Sequence, residues 1–216
     1  MSKNLKQRIY TSSALLLILF FMLINNFVLG YLLIVLSVFS ALEFHKIISI
    51  IFKKEKIKKF LINLFFLSYI FAFSSVFLIL SYFLHLKFLI FLILITCVAS
   101  DIGGFIIGKL FKGKKLTKLS PNKTISGAIG SLIFSITFFS LIIYYLTKNF
   151  EIYFLAIGCL TSIACQTGDL FFSFLKRKSF IKDTGSFLPG HGGALDRIDG
   201  ILLGVPVGFL ALLMIY

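Results

Sequence analysis

Long apolar runs separated by short charged segments make up most of this chain. A helix that crosses a lipid bilayer needs about 20 mostly apolar residues in a row, and several of the runs approach or exceed that length. The pattern therefore predicts an all-α, polytopic integral membrane protein with about seven transmembrane helices. A further break in the third run is left open, and with it an eighth or a ninth helix. The predicted spans are approximately residues 9–24, 27–42, 60–82, 88–110, 124–146, 152–175 and 201–216.

The composition narrows the class of protein. Of the 216 residues, 59% are hydrophobic and 14% are charged, against about 45–50% and about 25% in a typical globular chain. Soluble globular, disordered and disulfide-rich proteins are therefore excluded. All five aspartates lie after residue 100. We expect a single transmembrane domain over residues 1–216, in which about 1–90 supplies packing helices and about 91–216 carries the catalytic helices and loops.

The positive charges predict the orientation in the membrane. The formal net charge is +14, which in a soluble protein would suggest a nucleic-acid partner. Here all but two of the 22 lysines and arginines, the exceptions being Lys87 and Lys148, fall in segments that share one side of the predicted topology. Cytoplasmic loops carry such an excess of Lys and Arg. We therefore expect a cytosolic N-terminus, an inner (cytoplasmic) membrane location and no nucleic-acid partner.

Asp101 lies inside a predicted span, where an ionisable residue costs about 2.5–3.5 kcal/mol on insertion scales and is by default a candidate functional group. The alternative is that Asp101 pairs with a lysine of a neighbouring helix and only fixes packing. Residues 103–109 have the spacing of a P-loop, but Leu110 stands where Ser or Thr must follow. Gly104 and Gly108 instead predict a close helix-packing face, and a homodimer is left open.

A polar segment before the fifth span predicts an anion-binding site. It offers hydroxyl, amide and ammonium groups next to the start of a helix, where backbone N–H groups attract anions. The alternative is an ordinary capped helix start with basic flanks. The residues concerned are Ser120, Asn122, Lys123 and Thr124.

The sixth span carries an acid and two cations at helical spacing. Steps of four and three residues place Asp169, Ser173, Lys176 and Arg177 on one helix face. Such a face suits a metal-bound, multiply anionic ligand. A terminal Lys–Arg pair that snorkels to the surface is the alternative, but it does not explain Asp169 or Ser173.

A glycine-rich segment precedes the last span. Its backbone N–H groups can approach phosphate oxygens closely because glycine restricts the chain little. Asp196 and Asp199, three residues apart, are predicted to be presented together by a helix. Carboxylates without cysteine favour a hard cation such as Mg²⁺, and a solvated surface loop is the alternative. The glycine-rich segment is Gly190, His191, Gly192 and Gly193. Carboxylates, cations and glycines at one membrane face indicate phosphoryl chemistry on a lipid.

Residues 173–199, here called the signature segment, resemble the signature of the phosphatidate cytidylyltransferases (CDP-diacylglycerol synthases). Upstream, residues 99–101 and 120–124 also resemble family segments, in the expected order. One departure is that the family usually continues Thr-Trp-Glu-Gly where this chain has Thr124-Ile125-Ser126-Gly127. The role of that acid is therefore absent or filled elsewhere.

The resemblance implies transfer of CMP from CTP to phosphatidic acid, giving CDP-diacylglycerol and pyrophosphate near the cytosolic membrane face. It implies metal binding by Asp169 and Asp196, with Asp199 close by. The metal would be Mg²⁺, with a second metal or a monovalent cation left open. The residues implied in contacts with the triphosphate or the lipid phosphate are Lys176, Arg177, Lys182 and Arg197, with His191 positioning phosphate. Asp183 is a further candidate substrate-binding residue.

Three other functions remain as alternatives at this stage. The nearest is a CTP-dependent transferase that acts on another lipid phosphate, such as that of an isoprenoid-ether lipid. An ion transporter lined by the aspartates would leave the glycine-rich segment unexplained, and a non-catalytic scaffold would need none of the aspartates.

Overall fold

The computed structural model describes residues 14, 17–117, 120, 123–185 and 192–215. These residues form helices and connecting loops, and an isolated antiparallel bridge joins Lys115 and Thr124. Residues 17–24 are helical. The helices that follow are α1 (Asn26–Ile51), α2 (Lys56–Ser81), α3 (Leu84–Phe111), α4 (Ile125–Thr147), α5 (Ile152–Lys178), α6 (Leu195–Ile198) and α7 (Ile201–Ile215).

Six segments within the described residues are long and apolar enough to cross a membrane. They are α1 to α5 and the segment Leu195–Met214, which contains most of α7. The predicted class, an all-α polytopic membrane protein, is therefore confirmed. Of the predicted first span, residues 9–13, 15 and 16 lie outside the described residues. The further break considered in the third run is absent, because α2 is continuous.

The predicted end of the second span, at residue 42, is wrong. Helix α1 continues to Ile51, so Glu43 lies inside it rather than at its boundary. Glu43 is buried, with 8% of its surface exposed. Burial of a carboxylate is tolerated where hydrogen-bond donors meet it, and Glu43 has such donors, described below.

The chain folds as two compact units. The first is Met1–Leu86 together with Leu175–Ile198, and the second is Lys87–Phe174 together with Asp199–Tyr216. In the first unit α1 packs along α2. The Phe44 and Phe66 rings stack with centroids 3.9 Å apart, and the Ser37 and Ser74 hydroxyls lie 2.8 Å apart.

Small residues let the helices of the second unit approach closely. A Cβ atom added to Gly127 of α4 would lie 2.9 Å from the Gly104 carbonyl oxygen, and one added to Gly108 would lie 3.3 Å from the Gly127 Cα. The predicted packing face at Gly104 and Gly108 is thus confirmed, with α4 as its partner. Because α4 occupies this face, the two glycines give no support to a homodimer.

Serine pairs add polar contacts between the same helices. The Ser100 and Ser162 hydroxyls lie 2.8 Å apart, and the Ser135 hydroxyl donates to the Gly158 carbonyl oxygen over 2.7 Å. Hydroxyl contacts of this kind join helices in an apolar environment, where an unsatisfied polar group is costly. They help to hold α3, α4 and α5 in a fixed arrangement within the second unit.

Candidate active site

Within the first unit, the Asp196 carboxylate of the signature segment is surrounded by hydrogen-bond donors. Its Oδ1 accepts from Lys176 Nζ at 2.6 Å. Its Oδ2 accepts from the Thr184 backbone N–H at 2.8 Å, the Thr184 hydroxyl at 3.0 Å and the Gly193 N–H at 3.1 Å. The two charged side chains are 9% and 12% exposed. Charge-assisted bonds of this number hold the carboxylate in one orientation.

The backbone around Asp196 explains part of the glycine-rich sequence. Gly192 has φ of 86°, a left-handed conformation that glycine adopts without steric cost. A Cβ atom at Gly192 would also lie 3.0 Å from Asp196 Oδ2. The turn at Gly192 leads into the four-residue helix α6, and the Asp196 side chain folds back to the Gly193 N–H.

The basic residues near Asp196 differ in exposure. Lys176 is mostly buried against Asp196, whereas Arg177, Lys182 and Arg197 are exposed. Asp183, also exposed, precedes Thr184 on the same loop. Exposed cations next to a fixed carboxylate form a surface that attracts an anion.

Glu43 is a site residue that the sequence prediction missed. It projects from α1, and its carboxylate accepts from the Thr184 hydroxyl at 2.6 Å, the Ala194 N–H at 3.0 Å and the Leu195 N–H at 2.9 Å. The signal in the sequence was an acid inside an apolar run, which is by default a functional candidate. It was interpreted instead as the end of a span.

In the second unit Asp169 forms an ion pair with Lys123. Lys123 immediately precedes Thr124, whose hydroxyl caps α4 by accepting from the Gly127 N–H at 3.1 Å. The two charged side chains are 28% and 27% exposed. The predicted polar segment and the predicted helix face are therefore brought together at this pair.

Ser126, which replaces the usual acid of the family, has a structural contact in this loop. Its hydroxyl donates to the Lys112 carbonyl oxygen and lies 3.0 Å from the Thr124 hydroxyl. The Leu116 N–H donates to the Lys123 carbonyl oxygen at 2.8 Å, and the Ile125 N–H to that of Lys114 at 3.0 Å. Ser126 thus closes the loop that carries Lys123.

The prediction that one uninterrupted helix presents Asp196 and Asp199 together is wrong in detail. Asp196 lies in α6, and Asp199 and Gly200 form a turn before α7. Asp199 Oδ1 accepts from the N–H of the next residue, Gly200, at 2.9 Å. A side chain that bonds its own backbone competes with the helical pattern, which accounts for the break.

Asp169 and Asp199 lie on closely packed elements of the second unit. A Cβ atom added to Gly168 would lie 2.7 Å from the Asp199 carbonyl oxygen, so α5 contacts the backbone at Asp199 directly. Asp199 is buried, with 9% exposure. Asp101 is exposed, and its Oδ1 lies 3.8 Å from the Cys165 thiol, the donor in this contact.

Several predicted site residues have defined positions, and others do not. Asp169, Ser173, Lys176 and Arg177 all lie on α5, as the spacing predicted. Ser120 accepts from the Lys123 N–H through its carbonyl oxygen at 3.1 Å. Asn122, Gly190 and His191 lie outside the described residues.

The carboxylates of the candidate site have the ligand chemistry that Mg²⁺ prefers. Within the described part of the chain, no three His, Cys, Asp or Glu side chains cluster as a metal cage. Mg²⁺ in phosphoryl-transfer sites is usually held by one or two carboxylates together with substrate phosphates and water. Asp196 and Asp169, each already paired with a cation, are hard oxygen ligands that fit this mode.

The fold and these contacts define a class: a polytopic membrane protein with lysine-paired aspartates and a glycine-rich, cationic loop. The sequence profile of the Cytidylyltransferase family matches residues 7–215. The chain belongs to this family.

Three of the curated relatives show the extent of the similarity. A phosphatidate cytidylyltransferase of Rickettsia typhi is 42% identical over 128 residues, covering 55% of this chain and 56% of the relative. One from Helicobacter pylori is 42% identical over 123 residues, covering 56% and 45%, and one from Mycobacterium leprae is 37% identical over 127, covering 58% and 41%. The matched region thus spans about half the length of these relatives or less.

Proposed function

We propose that this protein transfers CMP from CTP to phosphatidic acid, giving CDP-diacylglycerol and pyrophosphate. The observation that carries the proposal is the arrangement around Asp196, where a nearly buried carboxylate is held by Lys176, Thr184 and Gly193. These residues belong to the signature segment. The name that the curated relatives carry, phosphatidate cytidylyltransferase, supports this choice of substrates.

The basic residues are proposed to hold the anionic groups of both substrates. CTP brings a triphosphate and phosphatidic acid a phosphate, so the site must neutralise several negative charges. Arg177, Lys182 and Arg197 are exposed at the ends of their helices and loop, where phosphate oxygens can approach them. Lys176 and Lys123, each paired with an aspartate, can exchange that partner for a phosphate.

The carboxylates proposed to hold Mg²⁺ are Asp196 in the first unit and Asp169 and Asp199 in the second. Bound there, Mg²⁺ would neutralise charge on the phosphates during transfer. The chain's own contribution is to orient these carboxylates, through Thr184 and Gly193 for Asp196 and through Lys123 for Asp169.

The proposed reaction is an in-line displacement. The phosphate oxygen of phosphatidic acid attacks the α-phosphorus of CTP, and pyrophosphate leaves from the opposite side. That oxygen is already anionic, so the step needs no general base. Positioning and charge neutralisation therefore supply most of the catalysis. Because CTP is water-soluble, the site is proposed to face the cytosol at the inner membrane.

A labelling assay tests the proposal. Detergent-purified protein is incubated with CTP labelled in its α-phosphate and with phosphatidic acid, with and without Mg²⁺. We expect label in a lipid product that requires Mg²⁺ and is lost in Asp196→Asn. The control, Glu151→Gln, changes an exposed acid before α5 and should keep full activity. Absence of labelled lipid with folded protein would contradict the proposal, and other lipid phosphates would then be tested as acceptors.

A further inference from the structure

We propose that Glu43 is a positioning residue for the transfer reaction, acting from α1 on the signature segment through Thr184 and the start of α6. This inference rests on the proposed function for its kinetic consequences. The contacts themselves stand independently of that function, since they join α1 to a loop more than 140 residues away.

Both oxygens of the Glu43 carboxylate are used within the first unit. Oε1 accepts from the Ala194 N–H at 3.0 Å. Oε2 accepts from the Leu195 N–H at 2.9 Å and the Thr184 hydroxyl at 2.6 Å. An amide side chain has one oxygen and one nitrogen that carries hydrogens. In a glutamine at this position, the NH₂ group would therefore face one of the N–H or O–H donors that now bond a Glu43 oxygen.

Thr184 links Glu43 to Asp196. Its hydroxyl lies 2.6 Å from Glu43 Oε2 and 3.0 Å from Asp196 Oδ2, and its backbone N–H donates to the same Asp196 oxygen at 2.8 Å. The hydroxyl has one proton and can donate it to either carboxylate. A shift of Glu43 therefore changes the bonds that orient Asp196, although Glu43 itself does not contact that residue in these hydrogen bonds.

The glycines of the signature segment fit closely around Glu43. A Cβ atom added to Gly193 would lie 2.6 Å from Glu43 Oε1. For Gly185, the three nearest atoms that a Cβ would meet all belong to Glu43, including its Cδ at 3.0 Å. Alanine at Gly185 would thus displace Glu43, whose carboxylate is held by the three hydrogen bonds above.

The first test compares Glu43→Gln and Glu43→Asp with a matched glutamate, Glu55→Gln, which is exposed and paired with Lys58. A positioning role predicts that Glu43→Gln lowers kcat about tenfold or more while KM for CTP changes less than about twofold. Glu43→Asp, which keeps the carboxylate, should recover part of the loss, and Glu55→Gln should match wild type. Equal kcat values for all three variants and wild type would overturn the proposal.

Hydrogen exchange gives a readout that does not depend on activity. In full-length Glu43→Gln in detergent, the amides of Ala194 and Leu195 should exchange at least about tenfold faster, with α2 to α5 unchanged. Faster exchange throughout the chain would mean a merely structural role and would overturn the proposal. If wild type shows no transfer but exchange changes locally, the proposed function fails and the Glu43 contact stands.

A double-mutant cycle tests the coupling to Gly185. In the wild-type background Gly185→Ala should lower activity about fivefold or more, because it displaces Glu43. In the Glu43→Ala background the same change should have less than about a twofold effect, since the obstructing side chain is gone. Additive losses would overturn the proposed link between these residues, whatever the activity of the single variants.

Discussion

Two aspartates paired with lysine are held very differently in the two units. Asp196 in the first unit is 9% exposed and accepts from Lys176 and from the Thr184 and Gly193 N–H groups, with the Thr184 hydroxyl also 3.0 Å away. Asp169 in the second unit is 28% exposed and forms its ion pair with Lys123 from a loop. The protein thus fixes the orientation of Asp196, whereas the Asp169 pair is more accessible to solvent and ligand. Asp196 is therefore a preorganised carboxylate, whereas Asp169 can more easily exchange its lysine partner for a ligand.

The largest expected effect is that of Asp196→Asn. Removing one partner of a buried ion pair lowers the free energy of unfolding by about 3–5 kcal/mol, and this substitution also removes a proposed Mg²⁺ ligand. We expect transfer to be abolished and Tm in detergent to fall by on the order of 5 °C or more. A labelling assay and a thermal shift measurement check this. Near-normal turnover would contradict the role of Asp196.

Asp169→Asn should separate activity from stability. A partly exposed ion pair contributes about 0–1 kcal/mol, so Tm should change by less than about 4 °C. Transfer should nevertheless fall at least about tenfold, because the carboxylate is proposed to act on the phosphates. The same two measurements apply. A large fall in Tm would show that Asp169 is a structural residue like Asp196, and the comparison between the units would fail.

Much of the fold was predictable because the signal for a membrane helix is local. Runs of apolar residues predicted the six described spans. The helix boundaries differ from the predicted ones where a charged residue, taken as the end of a span, is buried by tertiary contacts. Glu43 is one case, since its partners lie 141 to 152 residues away and no local pattern contains them. Lys87 is another, since α3 begins at Leu84, before the predicted start of the fourth span at residue 88, and Lys87 is buried within this helix.

The candidate site was predictable to the extent that its members are close in sequence. Lys176 and Asp196 are 20 residues apart in one segment, and the resemblance named both, although it did not predict that they pair. The pairing of Lys123 with Asp169 was not foreseen, although both were named, because it depends on how the loop before α4 reaches α5. Thr184 was overlooked because a hydroxyl in a loop carries little signal without its neighbours.

Two glycines with left-handed backbone conformations, one in each unit, provide a further test of the difference between the units. Gly192 (φ of 86°) lies in the first unit against Asp196, and Gly113 (φ of 101°) lies in the second beside open space and the Ser126 hydroxyl. Alanine at either should cost about 1–2 kcal/mol in stability. Gly192→Ala should also lower transfer about fivefold or more, because its Cβ would meet the Asp196 carboxylate that positions the phosphates. Equal activities would show that Asp196 tolerates movement.

The smallest expected effect is that of Ser126→Ala, which tests how firmly the second unit holds the loop of Lys123. The lost hydroxyl bonds the Lys112 carbonyl oxygen and contacts Thr124, and one such hydrogen bond contributes about 1 kcal/mol. We expect KM for CTP to rise less than about fivefold with kcat unchanged. The matched control is Thr137→Ala, whose hydroxyl bonds carbonyl oxygens within α4 and should leave both constants unchanged. A loss in kcat as large as that of Asp169→Asn would mean that the loop is preorganised, so that Asp169, like Asp196, depends on a fixed scaffold.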